Sequence, residues 1–526
     1  MPDNFTTRAA VHGRRGAIGT SHYLATEAGM RILQAGGNCA DATIAAAAVL
    51  NVVEPVASHL GGDAFAIHWD ADSGAARAIN SSGVAPVGMH AGLFPDGIPQ
   101  RGFLVSTVPG EVTAWDKLLS AHGTMPPSRV LEDAIHYAGE GFPVSRGLAG
   151  AIAGSAEVLA QFPSSAAQFM PEGRPPAEGE VLRQPDLAAT LRRMAAEGLR
   201  EFYEGETARR IADFWAEHGG VLTAADLAAH RARVMQPIST SYRGHTVLEQ
   251  PPVSQGHILL QALNIAETFG LAAMGFQSPE ALHVCIEANK LCHADKDRYT
   301  TDPSFHPLPP GLLSKRYAGA RAGLIRMDEA MSFPPPAGSP PAATDTTYLC
   351  CADGTGNAIS YIQSIFHGFG CGVVAEGTGV LLNDRGFGFS LDPAHVNYLQ
   401  PGKKTVHTLN TYMVLAEGRP VIVGGTPGGD VQVQTNLQVL TGLLDFGRGP
   451  QQAAEDPRWT RGGGRNISLE SRFPKGTVDG LRALGHEVSM LAPYGQGGRV
   501  QIIRIGEGGV LSAGSDPRCD GCALAF

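Results

Sequence analysis

Residues 341–360, "PAATDTTYLCCADGTGNAIS", decide how the rest of the chain is read. They follow "FPPPAGSPP", whose prolines lack an N–H and fix φ, so that stretch packs neither as helix nor as central strand. It reads as an exposed connector over about 332–345. Behind it, two apolar runs flank "DGTGN" and spell a hairpin. A threonine therefore stands where the connector ends and ordered sheet begins. A threonine hydroxyl is a poor nucleophile near neutral pH unless a base is within reach. One solution is its own α-amino group, which exists only once the preceding peptide bond is cut. Such an amine titrates near ~8, so its neutral form serves as base at working pH. On chemistry alone, Asp345–Thr346 and Thr346–Thr347 are both candidate scissile bonds.

Acyl transfer through threonine also needs donors for an oxyanion. In "VIVGGTPGGDVQVQTNLQVL", Gly428 and Gly429 lie between a strand and a helix N-terminus, where backbone N–H groups point outward and side chains would obstruct approach. The same pair also suits an ordinary strand-to-helix turn.

Composition narrows the class. The chain has 526 residues, 43% hydrophobic and 17% charged, with a formal net charge of −10. That is a globular chain with material for a large core, and it offers neither a nucleic-acid surface nor a polybasic membrane patch. The N-terminus has no apolar signal-type region, and no run approaches ~18 consecutive apolar residues. Eight cysteines without a signal peptide suggest reduced thiols and a cytoplasmic location. Cys519 and Cys522 form a lone CxxC, read as unpaired thiols in a tail. His283, Cys292 and His293 look ligand-like, but Cys285 and Cys292 are spaced to share one face of a helix, which predicts buried structural cysteines. No HExxH, paired CxxC, Walker or dinucleotide fingerprint is present, so no metal or cofactor is expected.

The coarse order is two helices in 1–60, a hairpin in "HLGGDAFAIHWDADSGAARAIN", helices over 104–235, strands at 236–250 and a long helix over 278–297. The 346 hairpin, further strands, a helix in "VQVQTNLQVLTGLLDFG" and a last hairpin in "QIIRIGEGGVLSAGSDPR" follow. This suits a layered α+β fold better than a regular βαβ series.

The motifs "GGNCADATIAAA", "LGGDAF", "VPGEVTAW", "DTTYLCCADGTGNAIS", "FGCGVVAEGTGVLLND", "TPGGD" and "AAEDPRW" together resemble the gamma-glutamyltransferase family of N-terminal-nucleophile hydrolases, from near residue 17 to beyond 450. The resemblance implies a four-layer αββα sandwich. It also implies a precursor that cuts itself before Thr346, giving a large fragment of residues 1–345 and a small one of 526 − 345 = 181 residues, 346–526. The two would stay intertwined, and a homodimer of such heterodimers is a compatible assembly. Thr346 would be nucleophile, Ser364 would support its hydroxyl, and Gly428 and Gly429 would hold the oxyanion.

The glutamyl-binding elements of the family are missing. Ser82 stands where the transferases carry a carboxylate-binding arginine. Gly388 and Phe366 replace their ammonium-binding aspartate and asparagine, and His407 and Thr408 replace a serine pair. Arg385 and His407 are new polar candidates, the first for a substrate carboxylate or a structural ion pair, the second for substrate or pocket wall. Phe366 would shrink and dry the site. These changes favour a small carboxylate-bearing acyl group, as in the oxamate amidohydrolase and cephalosporin-acylase-like branch. Glutathione hydrolysis or gamma-glutamyl transfer is the alternative, and an uncleaved binding homologue is the reading from another class.

Overall fold

The computed structural model describes residues 6–332 and 344–526. The proline-rich connector expected at 332–345 lies almost wholly outside these residues.

Two antiparallel sheets of seven strands organise the chain. The first runs, in spatial order, Cys522–Ala525, Gly16–Thr20, Thr344–Asp353, Ala358–His367, Asp63–Asp70, Ala75–Ser81 and Arg233–Met235. The second runs Val11–Gly13, Leu511–Ser515, Gln501–Ile505, Arg419–Gly425, Tyr412–Ala416, His245–Glu249 and Ile238–Tyr242. Residues from both sides of position 345 supply strands to both sheets, so neither part has a core of its own. The expected hairpins and the α+β character are present.

Strand alternation sorts the first sheet's side chains. Tyr348, Cys350, Phe65 and Ile67 pack in one cluster with Leu248, Met413, Val423 and Ile503 of the second sheet. Their neighbours Leu349, Cys351, Ala64 and Ala66 pack instead with the helices Tyr23–Gln34 and Cys39–Val53. The far side of the second sheet, through Tyr412, Val414 and Ile422, packs on the helices Gly256–Glu267, Pro279–Tyr299 and Val431–Leu444.

The alanine-rich helix Cys39–Val53 is buried along its whole length. Small side chains let it approach the sheet closely. It starts on a capping box, in which the Asn38 side chain accepts from Ala40 N and Asp41 N while Asp41 accepts from Asn38 N. It ends at Glu54, whose carboxylate reaches the strand that carries Thr347.

Cys285 and Cys292 are buried on the long helix, as their spacing predicts. The CxxC differs from its expected place in a tail. Cys522 opens a strand paired with Gly16–Thr20, because "CALA" supplies the edge that this strand would otherwise leave open. Among the described residues no helix is long and apolar enough to cross a membrane.

Candidate active site

The strand Thr344–Asp353 runs unbroken through the Asp345–Thr346 bond. Asp345 pairs with Phe366 and Thr347 with Gln363, so Thr346 alone faces two residues, Ser364 and Ile365. This is a β-bulge, a common device for re-aiming a side chain. Within it Thr346 Oγ1 donates to Ser364 Oγ at 3.1 Å. The same oxygen accepts from Phe366 N at 2.8 Å. Phe366 holds φ at 83°, a conformation that costs a non-glycine residue about 1–3 kcal/mol and that its surroundings must enforce.

Thr346 is 2% exposed and lies on the face turned toward the second sheet. Thr347 faces the helices. Its Oγ1 donates to Glu54 Oε2 at 2.9 Å and also meets Ser21 Oγ, which itself bonds Glu54. The hydroxyl of Thr347 is thus committed to a structural network.

The glycine pair follows a strand of the second sheet whose Gly425 packs against the ring of Tyr348, two residues along from Thr346. The strand Arg419–Gly425 leads through "TPGGD" into the helix Val431–Leu444. Gly428 and Gly429 have φ of 127° and 58°, which L side chains rarely adopt, and a Cβ on Gly428 would lie 2.8 Å from Val431 Cγ2. Their carbonyls accept from Val431 N at 3.1 Å and Gln432 N at 3.2 Å, closing the first helical turn. In a trans peptide the N–H of Gly429 points opposite the Gly428 carbonyl, hence away from that turn. Next to the pair, burial alone would raise the Asp430 carboxyl, but the Lys296 ammonium with which it pairs, helped by His293 and Arg461, holds it at about 2.

Gln255, which the sequence did not single out, ties this loop to the substrate-binding candidates. Its Nε2 donates to Thr408 O at 2.6 Å and to Gly429 O at 3.2 Å, and its backbone N donates to His407 O at 3.0 Å. Thr408 is half-buried and contributes through this carbonyl.

Arg385 and His407 are fully buried and converge on a second residue that sequence reasoning passed over, Asp63. Asp63 opens a strand in which it pairs directly with Ser364. Its Oδ2 accepts from Arg385 Nε at 3.2 Å and lies 3.8 Å from His407 Nε2, while Oδ1 accepts from Gly83 N at 2.7 Å. The ion-pair reading of Arg385 is therefore half of the picture. Arg385 Nη1 and Nη2 have no hydrogen-bond partner among the described residues, and neither has either ring nitrogen of His407. The Arg385 guanidinium also stacks 4.4 Å from the centroid of the half-buried Phe366 ring. Burial pushes the Asp63 carboxyl up, against the pull of Arg385. Burial, together with the charges of Arg385 and Lys404, holds His407 far below the ordinary imidazole range, so it is neutral. An aspartate opening the apolar strand "DAFAIHW" after two glycines was the available signal for Asp63. Gln255 had none, because its partners lie over 150 residues away.

Of the ligand-like residues, His283 gathers with Glu287 and His486. Their atoms already serve one another. His283 Nε2 donates to Arg326 O at 2.8 Å and its Nδ1 accepts from His486 Nε2 at 2.8 Å, while Glu287 takes Lys290 Nζ at 2.7 Å and Met331 N at 3.0 Å. This is a polar clamp on the segment 326–331.

The first sheet thus carries the paired hydroxyls of Thr346 and Ser364 and the Asp63 carboxylate with an Arg385 guanidinium unsatisfied among the described residues, and a glycine pair stands at a helix N-terminus after a strand of the second. Comparison with known proteins shows what the chain resembles. The family model described as gamma-glutamyltranspeptidase matches residues 25–526. The chain is 39% identical to the "glutathione hydrolase-like YwrD proenzyme" of Bacillus subtilis, covering 98% of this chain and 99% of the relative. It is 35% identical to the "oxamate amidohydrolase proenzyme" of Klebsiella pneumoniae, over 99% of this chain and 100% of the relative. Among solved structures, cephalosporin acylase from Bacillus halodurans superposes with a TM-score of 0.93 at 38% identity, covering 100% of this chain and 99% of that one.

Proposed function

The chain belongs to the gamma-glutamyltranspeptidase family of hydrolases, and on that premise we propose that it is a self-processing N-terminal threonine amidohydrolase for amides of a small carboxylate-bearing acyl group. In the precursor, Thr346 Oγ1 attacks the Asp345 carbonyl, the amide shifts to an ester, and water releases the two fragments 1–345 and 346–526 of one αββα sandwich. The new α-amine then takes the Thr346 hydroxyl proton as that oxygen attacks the substrate amide. The oxyanion falls to the backbone donors at Gly428 and Gly429, and Ser364 keeps the nucleophile aimed through the 3.1 Å bond. The amine returns the proton to the leaving nitrogen, and water hydrolyses the acyl-enzyme. No step calls on a metal or cofactor.

The observation that carries the substrate class is Arg385. Its two free Nη groups are buried beside the site, and a buried charged donor without an acceptor costs ~1–3 kcal/mol or more. A substrate carboxylate satisfies both at once, in the bidentate geometry that guanidinium favours. Phe366 narrows the space around it. The relatives named for oxamate and cephalosporin chemistry accord with an acyl group of this kind.

A second reading, glutathione hydrolysis, draws on Asp63, the buried carboxylate beside Arg385 that an α-ammonium would seek, and on the glutathione hydrolase-like relative. Ammonia release from oxamate and glutaramate, run beside p-nitroaniline release from gamma-glutamyl-p-nitroanilide, separates the two. Turnover of the carboxylate amides alone is the expected result. Turnover of the gamma-glutamyl substrate alone would overturn the preferred reading.

A further inference from the structure

Two consecutive lysines approach the site from the segment before His407, and they differ. Lys403 Nζ donates to two carbonyls, Val396 O at 2.7 Å and Tyr398 O at 3.1 Å. Lys404 is 4% exposed, yet its Nζ has a single hydrogen-bond partner among the described residues, Asn80 Oδ1 at 3.2 Å. That oxygen already accepts from Ser82 N at 3.1 Å and Ser82 Oγ at 3.0 Å. An ammonium has three donors to satisfy, and burial makes each unmet one costly. The lysine is not loose, because its backbone N donates to the buried Asp302 Oδ2 at 3.0 Å.

Its place, through Asn80, is on the strand next to the one that Asp63 opens. Asn80 sits at the end of the strand Ala75–Ser81, opposite Phe65 and two residues along from Asp63. The charge of Lys404 is felt by Asp63 and by His407, the two groups that Arg385 also acts on. Two buried cations with unmet donors thus flank one carboxylate and one neutral imidazole. Resting on the amidohydrolase reading above, we propose that Lys404 is a second cationic anchor of the acyl pocket, donating to the remaining lone pair of one oxygen of the substrate carboxylate that Arg385 grips bidentately. Asn80 positions the ammonium and Asp63 positions the guanidinium. A grip of this kind specifies an acyl group that ends in a carboxylate, and discriminates against the same acyl group carrying a neutral ester or amide end.

The test uses the mature, self-cleaved protein and glutarate, the product that a glutaryl amide would release, with calorimetric affinity as readout. Lys404→Met weakens glutarate binding about tenfold or more, the range expected for losing one charge-assisted partner in a closed site. Lys404→Arg, which keeps the charge, restores most of it. Glutarate affinity unchanged within twofold in Lys404→Met, or no glutarate binding to the wild type, overturns the assignment. Should Lys404→Met fail to mature, wild-type pH dependence decides. Burial and Arg233 lower Lys404 to about 8 against the opposing pull of Asp302 and Asp63, so glutarate affinity falls between pH 7 and 9. The Thr346 amine titrates in the same window. The share of the fall due to Lys404 is the part that disappears in Lys404→Arg, and an identical fall in that variant overturns the assignment. Turnover of glutaramate is followed in parallel. Glutarate binding that depends on Lys404 without turnover of any amide leaves the anchor standing and removes the proposed activity.

Discussion

Thr346 and Thr347 are neighbours in sequence and opposites in surroundings. The hydroxyl of Thr347 is held by Glu54 and Ser21 on the helical side of the sheet, every bond internal to the protein. The hydroxyl of Thr346 looks into the space between the sheets, where it donates to Ser364 and where Arg385 and His407 keep nitrogens unmatched among the described residues. One side of the strand is finished by internal bonds, while the open side is where the proposed function puts the substrate. Period-two alternation puts the two hydroxyls on opposite faces, and in the proposed function this, with the bulge opposite Thr346, separates a structural threonine from a chemical one.

That contrast is open to attack from either side. The largest effect belongs to Thr346, the proposed nucleophile. Thr346→Ala leaves a single chain near 55.0 kDa and reduces amide turnover by at least about a thousandfold. A denaturing gel and a steady-state assay check both outcomes, and a cleaved, active variant would break the comparison.

On the open side, Arg385→Leu reduces kcat/KM for a carboxylate amide by about 10–100-fold. It also strands the buried Asp63 carboxylate, so the melting temperature drops as for a loss of about 3–5 kcal/mol. Arg385→Lys, measured by the same kinetics and calorimetry, shows less of each. Equal activity in Arg385→Leu would assign the arginine to structure alone.

Buried histidines on both sides add a pH signature. Burial lowers His59 and His230 to about 3 and His407 well below the ordinary value. In the unfolded chain each titrates near ~6.5, so the unfolded state binds more protons below that pH. Stability is therefore complete above about pH 6.5 and is lost as pH falls, at about 2 kcal/mol per such histidine by pH 5. Urea midpoints across pH 5–7.5 measure this, and a flat profile would mean that these rings protonate without cost.

The smallest effect belongs to the finished side. Thr347→Val removes the bond to Glu54 and costs about 1–3 kcal/mol, while the mature variant keeps kcat within about twofold. A large kcat loss at full maturation would move Thr347 into the chemistry.

The sequence made the skeleton of this picture readable wherever local signals sufficed. The hairpin around "DGTGN", the two helices of residues 1–60 and the turn at Gly428 and Gly429 all rest on nearby residues, and the structure has them where the patterns place them. Residues that act only through distant contacts were not readable. Glu54 meets Thr347 across 293 positions, and Asp63 meets Arg385 across 322. The same reason hid the role of "RCDGCALAF", since an edge strand is defined by the partner it pairs with and not by its own pattern. Lys404 was hidden differently, by standing next to a second lysine, whose ammonium donates to two carbonyls while that of Lys404 donates to one amide oxygen.

The central claim is that Thr346, and not its neighbour, becomes the terminal nucleophile, and N-terminal sequencing of the small fragment from freshly purified protein tests it most directly. The account predicts a fragment of 181 residues beginning Thr-Thr-Tyr-Leu. A fragment beginning Thr-Tyr-Leu-Cys, or a chain that stays whole and still turns over amides, would contradict it.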